Sequence, residues 1–341
     1  MRSSNLPFET LMNNSPTSIA VVIPSFRVRR HILDVIGRIG PEVAAIYVVD
    51  DRCPEESGRF VSEQCTDPRV RVVFHAENQG VGGAVMSGYQ SAIADGHDIL
   101  VKVDGDGQMD PSLIPAIVSP LLAGEADYTK GNRFYHLDEI HKMPTIRLFG
   151  NAALSFMSKI STGYWSVFDP TNGYTAIHAK VASHLPMEKI SKRYFFETDM
   201  LFRLNTLRAA VVDVPMDAVY GDEESNLKIS KILPEFLAKH LRNTLKRIFY
   251  NYYLRDMSIA SLQLPLGILL MTFGTFFGLM HWIQSSSANI PTTAGTVMLA
   301  ALPVLAGMHL LLAFLSTDVS NQPQRPIHKL LHLRVKRVAE I

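Results

Sequence analysis

The 341-residue sequence has only two cysteines, Cys53 and Cys65. A disulfide framework is therefore excluded. A structural zinc site is not expected either, because the twelve histidines show no metal-ligand spacing. The net charge of +1 argues against a strongly cationic nucleic-acid binder. No Gly-x-Gly-x-x-Gly opens the first helical segment, so a dinucleotide-binding oxidoreductase is not expected. Met1–Ser18 is polar and does not read as a signal peptide. With 47% hydrophobic and 19% charged residues, the chain is not disordered, and its length suits about two domains of ~150 residues.

The sharpest absence is charge near the C-terminus. Met257–Asp318 holds no Lys, Arg or Glu, and its only acid is Asp318. Asn226–Asp256 carries +5 and Val319–Ile341 carries +4, which leaves −7 for Met1–Ser225. Two apolar runs, Ile259–Ile283 and Thr292–Leu315, each exceed the ~20 residues a bilayer-spanning helix needs. The uncharged segment Gln284–Pro291 joins them. Basic flanks predict both termini on the cytoplasmic side. Ahead of the first span, Ile229, Leu233, Phe236, Leu237, Leu241, Leu245, Ile248 and Tyr252 recur at helical spacing, interleaved with Lys231, Lys239, Arg242, Lys246 and Arg247. This suits amphipathic helices on an anionic membrane surface, or a helix packed on the soluble part, with Pro234 beginning one of them. Gly274 and Gly278 are a small-xxx-small pair that allows close helix approach, a weak sign of a homo-oligomer.

The remainder alternates strands and helices. Ser18–Ile23, Ala44–Val49, Val70–Phe74 and Ile99–Val103 are short strand-like runs, and Arg30–Ile39 and Val81–Ala94 have helical periodicity. The pattern predicts an α/β fold with a mainly parallel sheet. Ligands of such sheets bind at the carboxyl ends of the strands. Those ends carry Pro24-Ser25, Asp50-Asp51 and Asp104-Gly-Asp106. In Asp104-Gly-Asp-Gly-Gln108, carboxylates two residues apart after a buried strand can both bear on one hard cation, Mg²⁺ or Mn²⁺. Asp50 could equally cap the following helix.

These pieces resemble family 2 glycosyltransferases of the GT-A (Rossmann-like) fold, and most of all their polyprenyl-phosphate branch, which includes dolichyl-phosphate mannose synthase. The matching residues are Val21-Val-Ile-Pro-Ser25, Val48-Val-Asp-Asp51, Asn78-x-Gly80, Asp104-Gly-Asp-Gly-Gln108, Gly131-Asn-Arg133 and Asp169-Pro-Thr-Asn-Gly-Tyr174. The resemblance implies nucleotide-sugar contacts at Pro24, Asp50, Asp51, Asn78 and Gly80. It implies metal and diphosphate binding at Asp104, Asp106 and Gln108, and phosphate contacts at Arg133, Arg147 and Asn151. Asp169 falls in the acceptor-side motif, and Glu197 or Asp199 in the later acidic position. Ser225-Asn-Leu-Lys228 resembles the segment that closes the site near the membrane.

Three departures stand out. Arg52-Cys53-Pro54 replaces the usual Gly-Ser after Asp51, Asn172-Gly173-Tyr174 replaces Ser-Gly-Phe, and Gly221-Asp-Glu-Glu224 stands where an Arg is expected. The implied activity is inverting transfer from a UDP- or GDP-sugar to polyprenyl phosphate, dependent on Mg²⁺ or Mn²⁺ and set in a bacterial inner membrane. Transfer to a sugar hydroxyl, a processive polysaccharide synthase (whose Gln-x-x-Arg-Trp motif is absent) and an inactive scaffold are the alternatives. The expected division is a cytoplasmic catalytic domain at 1–225, juxtamembrane helices at 226–256, a transmembrane hairpin at 257–318 and a basic tail at 319–341.

Overall fold

The structure is a computed structural model and describes residues 17–135, 145–216 and 229–332. Seven strands form one sheet: β1 (Ile19–Ser25), β2 (Val43–Asp50), β3 (Val70–Phe74), β4 (Ile99–Lys102), β5 (Tyr128–Asn132), β6 (Thr175–His178) and β7 (Val211–Pro215). Their order is β3-β2-β1-β4-β6-β5-β7, and every pairing is parallel except the two that β6 makes. Helices α1 (Ile32–Gly37), α2 (Ser57–Gln64), α3 (Val81–Ala94), α4 (Ile114–Leu122), α5 (Thr145–Thr162) and α6 (Phe196–Leu207) accompany the sheet.

The strands form because their apolar residues can be buried on both faces. Ala20, Val22, Ala45, Tyr47, Val49 and Leu100 join one core with α3 and α6, while Val21, Ile23, Ile46, Val48 and Val101 join the other with α1 and α4. Successive side chains of one strand thus enter opposite cores, as strand geometry requires. Gly88 of α3 lets the helix rest on β1, since a Cβ there would lie 2.3 Å from Val22.

The chain leaves β1 for β2 on one side and later returns as β4 on the other, so the order reverses at β1. The crevice beyond the carboxyl ends of β1 and β4 is the usual ligand position in open α/β sheets. The Val103 N–H still donates to the Val22 carbonyl (3.1 Å), and Pro24, two residues on, supplies no N–H where the strands part.

The C-terminal part inverts the usual arrangement. Helix α7 (Ile229–Phe249) continues into a wider π turn at Tyr250–Arg255. Pro234 lies inside this helix rather than beginning it, because the chain becomes helical five residues earlier. The cost is the one bond its missing N–H would make to residue 230. Leu233, Leu237, Leu241 and Leu245, spaced four apart, point outward and are 46–61% exposed. The polar residues face inward. His240 bonds Ser161 (2.8 Å), Asn243 donates to Asp199 (3.1 Å), and Asn251 donates to Asn205 (2.8 Å).

Two helices, α8 (Ile259–Ala288) and α9 (Ala294–Ser320), pack as a hairpin and are long and apolar enough to cross a membrane. Both extend past the expected ends, and the connector shortens to Asn289–Thr293. The Ser287 hydroxyl donates to the Ile283 carbonyl (2.8 Å), so this polar stretch is satisfied as helix, which ends at Asn289 with φ 51°. Gly267 and Gly307 face each other across the hairpin, where a Cβ on Gly307 would lie 2.8 Å from the Gly267 carbonyl.

Helix α9 is tied to the sheet domain by a buried cluster. Asp318 accepts two bonds from Arg247 (2.6 and 2.9 Å), one from the Tyr252 hydroxyl (2.7 Å) and one from the Trp165 indole (3.1 Å). Beyond it the chain returns to the sheet, where the Asp127 carboxylate accepts from the backbone N–H groups of Ile327 and His328.

Candidate active site

The carboxyl ends of β1 to β4 and the loops that follow them carry most of the residues that the sequence singles out. Asp50 ends β2 and is buried. Its two oxygens accept from the N–H groups of Cys53 (2.7 Å) and Gly58 (2.6 Å), so it braces the turn into α2. Asp51 is buried as well. It accepts from His75 (2.8 Å), from the Gln79 N–H (2.8 Å) and from the Gly80 N–H (2.7 Å), while Asn78 donates to its carbonyl (3.0 Å). Asp51, Asn78 and Gly80 therefore form one knot that fixes the start of α3. Gly80 has φ +83°, and a Cβ there would lie 2.5 Å from the Lys192 carbonyl. Arg52 adopts φ 55°, the left-handed region that glycine favours. The backbone shape expected of Asp-Asp-Gly is thus kept despite the change of residue.

The loop after β4 presents Asp104, Asp106 and Gln108. Asp104 is 29% exposed and takes the Lys102 ammonium at 2.8 Å. Asp106 accepts from the Gln108 N–H (3.0 Å), a tight turn that Gly107 permits with φ +83°. Among the described residues, no group of three or more His, Cys, Asp or Glu side chains could hold a metal ion. Two carboxylates at the mouth of a crevice are nonetheless the donor set of a hard cation that completes its shell with water and substrate phosphates. The residues fit an ion that comes with a diphosphate, not an all-protein cage.

Beneath this loop lies a charged floor that sequence reasoning missed. Lys102 on β4 and Lys130 on β5 are both fully buried. Lys102 donates to the Gly173 carbonyl (3.1 Å), and its ammonium lies 3.9 Å from Glu197; Lys130 donates to the Asn172 carbonyl. Burial alone would lower the Lys102 pKa, but Asp104, Glu197 and Asp106 outweigh it and leave it raised. Burial pulls Lys130 down to about 8, against the upward pull of Glu197 and Asp169. Burial likewise lifts Glu197 above the usual carboxylate range, and Lys102 and Lys130 limit the rise. A Cβ on Gly173 would lie 2.4 Å from the Lys102 ammonium, so a side chain here would displace that ammonium. One signal was available: a lysine two residues before Asp104 in an otherwise apolar strand needs a buried anion.

Asp169 is fully buried and grips Arg133 through two side-chain bonds (2.8 and 3.2 Å). It orients a half-exposed guanidinium. Asp213 on β7 accepts from the Phe168 N–H (2.8 Å) and Asn132 (3.3 Å), and burial raises its pKa to about 6.

The two late acids separate. Glu197, in the first turn of α6, joins the lysine floor. Asp199 accepts from the Ser191 N–H (2.8 Å), Arg203 (3.3 Å) and Asn243, on the side facing α7. Residues two apart on a helix do not share a face. Arg147 and Asn151 belong to α5, but their side chains, like Ser225–Lys228, lie outside the described residues.

Comparison with known proteins bears on the family and the fold. Residues 20–185 match the family described as glycosyl transferase family 2. The chain is 29% identical over 205 residues to the undecaprenyl-phosphate mannosyltransferase of Micrococcus luteus, covering 59% of this chain and 83% of that one. It is 26% identical over 218 residues to the UDP-N-acetylglucosamine–dolichyl-phosphate N-acetylglucosaminyltransferase of Methanococcus voltae, covering 60% and 86%. The fold is similar to glucosyl-3-phosphoglycerate synthase from Mycobacterium tuberculosis in complex with uridine diphosphate, with TM-score 0.51, 20% identity, and 67% and 80% of the two chains covered. Residues 20–185 are a family 2 glycosyltransferase domain, and the chain that carries it is a glycosyltransferase.

Proposed function

We propose that this enzyme moves a sugar from a nucleoside diphosphate sugar, UDP- or GDP-linked, to a polyprenyl phosphate at the membrane surface. One observation carries the reading. The crevice of the sheet is joined, through the Arg247–Asp318 cluster, to an outward-facing leucine stripe and two apolar helices. A soluble acceptor would give such a mount no purpose. The relatives named for undecaprenyl and dolichyl phosphate support the same acceptor class.

In this reading the knot of Asp51, Asn78 and Gly80, with Asp50 and Pro24 beside it, shapes the nucleoside end of the crevice. Asp104, Asp106 and Gln108 would hold Mg²⁺ or Mn²⁺ with the diphosphate, and the ion would offset charge on the leaving group. Arg133, held by Asp169, is a guanidinium aimed for a phosphate, and Arg147 and Asn151 are further candidates. An acceptor phosphate oxygen attacks the anomeric carbon while the bond to the diphosphate breaks, and the configuration inverts. A phosphate is already ionised at neutral pH, so no strong base is needed.

The catalytic domain (1–225) and both termini then lie on the cytoplasmic side, with residues 226–256 at the interface and the connector Asn289–Thr293 outward. The return of Ile327 and His328 to Asp127 supports that topology. The test is incubation of the purified protein with polyprenyl phosphate and radiolabelled UDP- and GDP-sugars, followed by extraction into organic solvent. Label in the organic phase with one donor is expected; none with any donor would refute the reading.

The raised pKa of Glu197 favours a second reading, transfer to a sugar hydroxyl with Glu197 as general base. Glu197→Gln distinguishes the two. It should lose roughly 10²–10⁴-fold if a hydroxyl must be deprotonated and far less if the acceptor is a phosphate.

A further inference from the structure

A groove of about 490 Å³ lies between α6 and α7, on the side of α6 opposite the lysine floor. Asp199 faces it, whereas Glu197, two residues earlier, faces the transfer site. Five cations line the groove: Lys189, Arg203, Lys239, Arg242 and Lys246. Asp199 is the one carboxylate among the lining residues, and Arg203 and Asn243 already engage it. Lys239 pairs with Glu235 (2.7 Å). Among the described residues, no carboxylate pairs with Lys189, Arg242 or Lys246. Desolvation and the charges of Arg242, Arg203 and Lys189 push the Lys246 pKa down against the upward pull of Asp199, as expected where five cations share one carboxylate.

The walls are not uniformly polar. Phe195, Phe202 and Tyr250 line the groove too, so it offers apolar surface beside the cations. Its position is also specific. Tyr250 stands nine residues before the first residue of α8, and the outward leucine stripe occupies the neighbouring face of α7. A ligand here meets cations, an apolar wall and, if α7 lies on a membrane, the headgroup layer.

We propose that this groove binds the phosphate headgroup of an anionic bilayer phospholipid, at a site separate from the transfer crevice. The charge excess selects an anion, and the aromatic wall with the adjacent leucine stripe selects one attached to an apolar body. The inference rests on the membrane-surface reading of α7 but not on the identity of the sugar acceptor. Occupancy would neutralise the crowded cations and hold α6, whose other face carries Glu197, at a fixed depth.

The test is calorimetric titration of the full-length protein in neutral detergent with dioctanoyl phosphatidylglycerol, dioctanoyl phosphatidylcholine and inorganic phosphate. Binding of phosphatidylglycerol should saturate and be about tenfold tighter than that of phosphatidylcholine, since each nearby Lys or Arg is worth ~1 kcal/mol toward an anionic headgroup, and tighter than that of inorganic phosphate, which has no apolar body for the aromatic wall. The double variant Arg242→Gln/Lys246→Gln should weaken it about 30-fold at an unchanged melting midpoint. Lys189→Gln, on an exposed residue, gives a smaller loss and carries the test if the double variant does not fold. Equal binding of phosphatidylglycerol and phosphatidylcholine would overturn the proposal. So would inorganic phosphate binding as tightly as phosphatidylglycerol, or an unchanged affinity in the variants. Sugar transfer is not the readout, so failure here and failure of the acceptor assignment are distinguishable.

Discussion

The sheet domain and the C-terminal region obey opposite burial rules within one chain. In the first, Val21, Val22, Ile46 and Val48 vanish into two cores and charge gathers at the loop ends. In the second, leucines and phenylalanines face out, while Arg247, Asn251 and Asp318 are buried. The difference lies in what surrounds each region. Water solvates the outside of the sheet domain, so its apolar side chains are driven in. A hydrocarbon exterior gives no such drive, and there the polar residues must find partners inside. Each region holds a buried charge cluster: Lys102, Lys130 and Glu197 under the crevice, and Arg247 with Asp318 at the hinge to α9.

That contrast can be broken at the hinge first. Arg247→Gln leaves Asp318 buried without its cation and should cost ~3–5 kcal/mol. The melting midpoint of the detergent-solubilised protein reads this, and a midpoint within a degree of wild type would show that the cluster does not join the regions. In the crevice, Asp106→Asn should keep the fold, because its loop is at the surface. It should lose roughly 10²–10³-fold in transfer, the usual scale for removing one stabiliser of developing charge. Initial rates with saturating Mg²⁺ or Mn²⁺ measure it, and full activity in metal-free buffer would remove Asp106 from the site.

A smaller effect concerns Asp213. Its folded pKa of about 6 exceeds the ordinary value of 3.8, so the folded state binds a proton more readily than the unfolded one. Stability from this group is therefore full below about pH 4 and is lost as pH rises through about 6. Asp213→Asn should stabilise the protein at pH 7–8 by on the order of 1–2 kcal/mol, with the gain fading below pH 4. Thermal unfolding across pH checks this, and a pH-independent difference would contradict it. The smallest effect is on the leucine stripe. Leu241→Ser and Leu245→Ser should each change stability in detergent by no more than ~0.5 kcal/mol, since neither side chain is buried. A loss of several kcal/mol would mean that the stripe packs against protein.

Much of this was legible in the sequence for a physical reason. β1 to β4 and α3 are read from local periodicity, and all appear within two residues of the expected bounds. The Asp104-Gly-Asp106 turn was legible because its function depends on adjacent residues. The lysine floor was not, because Lys102, Lys130, Gly173 and Glu197 come from four separate segments. Asp318 stood out as the lone acid of a 62-residue stretch, but its partner Arg247 lies 71 positions away. The antiparallel insertion of β6 was also hidden, since strand direction is set by the connections and not by the strand's own residues. The separation of Glu197 from Asp199 could have been argued from helix geometry alone.

The central claim is that the membrane mount brings a lipid phosphate, and not a hydroxyl, to the crevice. It is tested most directly by offering the purified protein two acceptors that differ in that group alone, polyprenyl phosphate and the corresponding polyprenol, with the same labelled donor. The account predicts labelled lipid from polyprenyl phosphate and none above background from polyprenol. Equal labelling of both, or labelling of polyprenol alone, would contradict it.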